Sequence, residues 1–283
     1  MKTRIITGIV AIALFVPICI FSDYVVFPIA IAVLSAVGVY EMAKCLGMEK
    51  KRALTVPMYL VAITLPMIGY YQFFKSLRIR GSFFLGICMI LFFFVLIYSL
   101  AYVMFRKNQD KISDILTLYA LFLYIVGCFT SIICIRYMAG GKYVYLLVFL
   151  GAWVCDTFAY FTGRFLGKHK LIPEISPKKT IEGSIGGIVF TIGAFILYRF
   201  LLFKIYPELN INLPYLLVIV LALAAAIVSQ IGDLIASSIK RQYNLKDYGK
   251  LFPGHGGVLD RFDSVMLVAP VTYIIFIISS VIM

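Results

Sequence analysis

Residues 213–232 read LPYLLVIVLALAAAIVSQIG, a run without a single charge. That is about the length an α-helix needs to cross the hydrocarbon core of a bilayer. Runs of the same kind recur at about 5–21, 24–40, 54–71, 82–105, 115–135, 143–162, 184–203 and 259–283. The bilayer interior offers bare backbone no hydrogen-bond partner, so segments that span it are helices or closed barrels. These runs are continuously apolar rather than alternating, which excludes the barrel. The predicted fold class is therefore all-α, a polytopic membrane protein with about nine transmembrane helices. Composition agrees: 63% of residues are hydrophobic and 14% charged, with a mean hydropathy of +1.01. Soluble domains hold apolar residues at only about half, so that class is excluded.

Lys2 and Arg4 precede the first run, as in a secretory signal. No small-x-small cleavage site follows, and Ile18 before Cys19 lacks the small residue of a lipoprotein site, so a retained helix is expected. Of the six cysteines, Cys19, Cys88, Cys128, Cys134 and Cys155 lie in apolar runs and Cys45 in a loop. None forms a C-x-x-C pair, which leaves zinc and redox sites little support and favours small packing residues.

The net charge of +13 has a topological explanation. With the N-terminus in the cytoplasm, Lys2, Arg4, Lys44, Lys50, Lys51, Arg52, Arg106, Lys107, Lys111, Arg164, Lys168, Lys170, Lys178, Lys179, Lys240, Arg241, Lys246 and Lys250 fall on that side. The opposite side receives Lys75, Arg78, Arg80, Arg136, Lys142 and Lys204. This bias obeys the positive-inside rule and favours an odd number of spans. The cations are scattered over short loops rather than gathered on one basic surface, so nucleic acid is not an expected partner.

No internal repeat and no Gly/Ser-rich or Pro-rich linker is evident. Residues 1–140 are expected to form N-terminal membrane helices with ordinary charged flanks such as Glu49 to Arg52 and Arg106 to Lys111. Residues 141–283 carry two long polar loops, 163–183 and 233–258, expected on one cytoplasmic face. Ser176-Pro177-Lys178-Lys179-Thr180 joins two ammonium groups to two hydroxyls on a stiffened segment. Gly183, Gly186 and Gly187 open the next helix, where N–H groups are expected to face an anion. Asp156 sits inside a membrane run with Tyr160 and Arg164 at four-residue steps; such a carboxylate normally faces protein, water or a cation. Asp233 is expected at the end of the 213–232 span, beside Gly232. Asp260 and Asp263 are three apart, so on a helix their carboxylates share a face and can hold one ion, with Arg261 directed elsewhere. Hard oxygen ligands without a Cys or His cluster suit Mg²⁺. His255, between glycines, has three readings left open: phosphate donor, acid or base, or holder of the turn.

The stretch S-x-x-K-R-x-x-x-x-K-D followed by P-G-H-G-G-x-x-D-R-x-D, here Ser237 to Asp263, resembles the signature of the phosphatidate cytidylyltransferase family. S-P-K-K-T-x-E-G, Ser176 to Gly183, resembles that family's second motif. The resemblance implies an enzyme of the bacterial cytoplasmic membrane that joins CTP and phosphatidic acid to give CDP-diacylglycerol and pyrophosphate. It further implies a Mg²⁺ requirement, room for a second, monovalent cation such as K⁺, and a homodimer. Carried over by position, Asp233, Asp260 and Asp263 are the implied metal ligands, with Lys240, Arg241 and His255 as further catalytic residues. Ser176, Lys178, Lys179, Thr180, Glu182, Ser237, Lys246, Asp247, Gly256, Gly257, Arg261 and Asp156 are the expected substrate-binding residues. Two alternatives stand beside this one. A CTP-dependent polyprenol or phytol kinase needs a general base for its acceptor hydroxyl, and a transporter gathers its ionisable residues at the midplane on broken helices.

Overall fold

The computed structural model describes residues 2–74, 81–105, 111–209 and 213–282. Lys75, Arg78, Arg80, Arg106 and Lys107, used above for orientation, lie outside them. Helices occupy all the expected apolar runs: α1 Lys2–Ile20, α2 Val26–Cys45, α3 Arg52–Phe74, α4 Gly81–Phe105, α5 Ile112–Tyr137, α6 Gly141–Leu166, α7 Ile181–Ile205, α8 Tyr215–Gln242 and α9 Leu259–Ile282. Among the described residues, eight helices are long and apolar enough to cross a membrane; the apolar part of α1, Ile6–Ile20, is shorter. An antiparallel hairpin of β1 Lys170–Ile172 and β2 Ser176–Thr180 joins α6 to α7.

The two polar stretches are more ordered than the sequence suggests. Helix α8 runs ten residues past Gly232, to Gln242, so Asp233, Ser237, Lys240 and Arg241 are helical rather than in a loop. Leu234, Ile235, Ala236 and Ile239 keep the apolar pattern going, and no breaker intervenes before Asn244, whose φ of 54° is the left-handed conformation that closes helices. Likewise α6 extends to Leu166 and α7 begins at Ile181, which leaves residues 167–180 for the hairpin.

The chain forms two compact units. The first comprises Met1–Tyr137 and Tyr243–Arg261, the second Met138–Gln242 and Phe262–Met283. Against the expected boundary at 140/141, the stretch Tyr243–Arg261 packs with the N-terminal helices.

In the first unit α5 is central, packed on α2, α3 and α4 through Ile115, Leu118, Phe122, Ile125 and Phe129, all fully buried. Only 17% of the α4 span is buried, against 61% for α5, so α4 presents most of its apolar side to lipid. Arg136, buried at the end of α5, donates from Nε to Ser22 Oγ (2.9 Å) and from a terminal nitrogen to Asp23 Oδ1 (2.6 Å). Tyr137 donates to the Ser22 carbonyl (2.8 Å). A buried guanidinium is tolerable only when paired and hydrogen-bonded, and this cluster ties the α1–α2 turn to α5.

In the second unit α6 and α7 make the closest pair, and glycines are the reason. A Cβ on Gly183 would lie 2.6 Å from the Ala159 carbonyl and 3.1 Å from Gly163 Cα, and one on Gly187 would lie 3.0 Å from the Cys155 carbonyl. Lipid tails are as apolar as leucine, so membrane helices associate through such close backbone approach. The expectation that Gly183, Gly186 and Gly187 present N–H groups to an anion is corrected here: all are buried against α6. Phe158 and Phe190 stack across the same seam with centroids 4.1 Å apart, and α8 packs on both helices.

Candidate active site

In a strand successive side chains point to opposite faces. Lys178 is accordingly exposed and Lys179 half-buried, turned toward α8. Its Nζ lies 2.7 Å from Asp233 Oδ2 and donates to the Gln230 carbonyl (3.5 Å). Ser237, one turn beyond Asp233 on α8, donates to Asp233 Oδ1 (3.3 Å). The hairpin and α8 thus bring Lys179, Asp233 and Ser237 together.

Two more carboxylates join them in the second unit. Asp263 accepts from the Ser264 N–H (2.9 Å), and Ser264 Oγ donates to Asp156 Oδ2 (2.8 Å). Asp233 and Asp156 act on Asp263 as nearby like charges, and Lys240 as a nearby opposite one. Gly232 allows the approach of α8 to this region, since a Cβ there would lie 2.6 Å from the Asp263 carbonyl oxygen. Asp156 is exposed and Asp233 and Asp263 are half-buried, so the carboxylates remain open to a ligand.

Behind them Gln230 is nearly buried. It accepts from Ser184 Oγ and donates to the Ser184 carbonyl (3.3 Å) and Cys155 Sγ (3.5 Å), which locks α8 to α6 and α7 below Lys179.

Thr180 and Glu182 have partners within the chain itself. Thr180 caps α7, its Oγ accepting from the Gly183 N–H (3.1 Å). The Glu182 carboxylate accepts from the N–H groups of Lys168 (3.1 Å) and His169 (3.2 Å), and lies 2.6 Å from His169 Nδ1. Both hold the hairpin onto the helix it feeds. Ser176 sits in the hairpin ladder opposite Ile172.

The motif residues from Lys246 to Arg261 belong to the first unit. Gly254 and Gly256 take left-handed φ of 77° and 86°, and the Phe252 N–H donates to the Gly256 carbonyl (2.9 Å) across the turn. Asp260 is buried, and its Oδ2 accepts from the N–H groups of Tyr248 (2.8 Å) and Gly257 (2.9 Å). That oxygen is committed to backbone, so Asp260 is placed as an organiser of the loop, although it starts the same α9 that carries Asp263 one turn on. His255 Nδ1 is buried without a hydrogen-bond partner among the described residues. Arg241, Lys246, Asp247 and Arg261 are exposed.

Among the described residues, no three His, Cys, Asp or Glu side chains form a set able to hold a metal ion unaided. The oxygen-only cluster around Asp233 and Asp263 fits a different ion, one that takes one or two carboxylates and completes its shell with water and substrate phosphates.

Four residues escape the motif reading: Ser184, Gln230 and Ser264 in these contacts, and Glu41, whose carboxylate accepts from the Val258 and Leu259 N–H groups. Two carried a signal. Gln230 is a polar amide inside the apolar run 213–232, and Glu41 is an acid just past a run whose end was placed five residues too early, at 40 rather than Cys45.

The sequence model described as the cytidylyltransferase family matches residues 2–279. Among curated proteins, the chain is 34% identical over 278 residues to the phosphatidate cytidylyltransferase of Bacillus subtilis, covering 96% of each. It is 33% identical to that of Staphylococcus haemolyticus, covering 98% of this chain and 99% of the other. It is also 33% identical to that of Thermotoga maritima, covering 98% and 96%.

Proposed function

This chain belongs to the cytidylyltransferase family, and from that premise we propose that it transfers the cytidylyl group of CTP to phosphatidate, giving CDP-diacylglycerol and pyrophosphate. The observation that carries this reading is the full-length kinship, together with a cationic and acidic cluster built from Lys179, Asp233, Asp263 and Asp156.

A phosphatidate oxygen, already anionic near neutral pH, attacks the α-phosphorus of CTP. One P–O bond forms there, the bond to the β-phosphate oxygen breaks, and pyrophosphate leaves with its electron pair. No proton has to be removed from the nucleophile, so the barrier is the repulsion between two polyanions. Lys179 and Lys240 place positive charge beside that encounter, with Lys178 and Arg241 as exposed cations available to phosphate. Asp233 holds Lys179 in place, and Ser237 and Ser264 orient carboxylates of the cluster. Mg²⁺, held by Asp233 and Asp263, would supply the charge that neutralises the departing pyrophosphate. A homodimer, which the family resemblance implies, belongs to the same proposal.

The test follows the phosphorus. Label at the α-phosphate of CTP should enter the lipid, and label at the γ-phosphate should leave as pyrophosphate. Lipid carrying the γ label, with CDP released, would establish a kinase instead.

The chain is an integral membrane protein, and its cation bias supports a cytoplasmic N-terminus and cytoplasmic polar stretches at 163–183 and 233–258. The six cysteines are free, so a cysteine-free background disturbs no disulfide. In that background Lys168→Cys and Lys250→Cys should each react with an impermeant thiol reagent only from the cytoplasmic side. Reaction from opposite sides would contradict the orientation.

A further inference from the structure

Glu41 lies near the end of α2 and is only 3% exposed. A carboxylate inside a membrane helix is costly unless its partners are specific, and here they are. Oε1 accepts from the Val258 N–H and Oε2 from the Leu259 N–H, each at 2.9 Å. Leu259 is the first residue of α9. One carboxylate thus spans two consecutive N–H groups where a helix has unsatisfied donors and the positive end of its dipole. Gly249 and Gly257 press their backbones against the same carboxyl group, and a Cβ on either would run into it. One turn earlier on α2, Gly38 makes room for the Leu259 side chain, 3.2 Å from where a Cβ would stand.

We propose that Glu41 is a positioning residue for cytidylyl transfer. Its carboxylate takes the place of a bound anion at the start of α9 and fixes the loop 248–258 on which Asp260 also closes. The proposal rests on the function given above and adds a residue outside every motif.

The experiment uses the full-length protein in detergent with CTP, phosphatidate and Mg²⁺, read by kinetics and by amide hydrogen exchange. Glu41→Ala is expected to lower kcat by roughly 100-fold, the scale of a small misplacement of reacting groups, with KM for CTP changed by less than about threefold. Exchange of the Val258 and Leu259 amides should accelerate. Glu41→Gln keeps one acceptor oxygen of two and should fall between. Gly249→Ala should lower kcat roughly tenfold on its own but by about threefold or less in the Glu41→Ala background, because its nearest obstacle has then gone and of the contacts around that Cβ only Gly257 Cα, at 3.1 Å, remains. A folded Glu41→Ala with kcat within about threefold of the parent, or unchanged exchange at 258 and 259, overturns the proposal. If Glu41→Ala does not fold, Glu41→Gln with parental kcat and exchange overturns it equally. A parent protein that forms no CDP-lipid sinks the functional reading itself, and exchange at 258 and 259 then still decides whether Glu41 holds the loop.

Discussion

Asp263→Asn should lower kcat by roughly 10²–10³-fold while the protein remains folded in detergent. The asparagine Oδ1 can still accept from the Ser264 N–H, as Asp263 Oδ1 does at 2.9 Å, so local geometry has no reason to change. What disappears is one negative charge from a cluster in which Asp156 and Asp233 already repel it and Lys240 attracts it. On the proposed reading that carboxylate helps to hold a cation, for which the amide that replaces it is a far poorer ligand. Steady-state kinetics with a melting curve in the same detergent make the check. Parental activity would remove Asp263 from the site. Asp260→Asn should look different, with a lowered melting temperature alongside any loss of rate, because Asp260 Oδ2 accepts two backbone N–H groups in a buried loop.

Gly183→Val should be the most damaging change outside the charged cluster. Its Cβ would meet the Ala159 carbonyl at 2.6 Å and Gly163 Cα at 3.1 Å, and both are backbone of α6, which cannot swing aside. Overpacking of this kind costs about 1–3 kcal/mol and sometimes more. It would also push α7 from α6 just where Thr180 caps the helix and Lys179 reaches Asp233, so activity and melting temperature should fall together. Gly193→Ala is the control, since nothing lies within 4 Å of the added Cβ. Equal behaviour of the two variants would refute the account of the α6–α7 seam.

The membrane helices were legible because length and hydropathy alone decide them, and every apolar run became a helix. Asp233 and Lys179 were legible as types, since acids and paired lysines stand out in a chain with 14% charged residues. Their partnership was not, because 54 positions separate a strand residue from a helix residue and only the fold brings them to 2.7 Å. The glycines of α7 misled for a related reason. A glycine that frees a backbone for a ligand and one that frees it for another helix look identical in sequence, and the difference lies in Ala159 and Gly163 on α6. Asp260 and Asp263 were read as one pair from their spacing. Which N–H groups each accepts, from a loop for Asp260 and from its own helix for Asp263, is tertiary information.

The hydrogen bonds of Glu41 also bear on the order in which the chain is made. Their donors lie 217 and 218 residues downstream. At translation rates of about 5–20 residues per second, α2 waits roughly 10–40 s for the amides that will satisfy its carboxylate. During that interval the acid must be carried by the insertion machinery, by Lys44 a turn away, or by water at the membrane surface. The start of α9 therefore completes the burial of an acid on α2. A chain truncated before residue 258 would leave an early helix carrying an unmatched acid, a feature that membrane quality control can detect without ever sampling the active site.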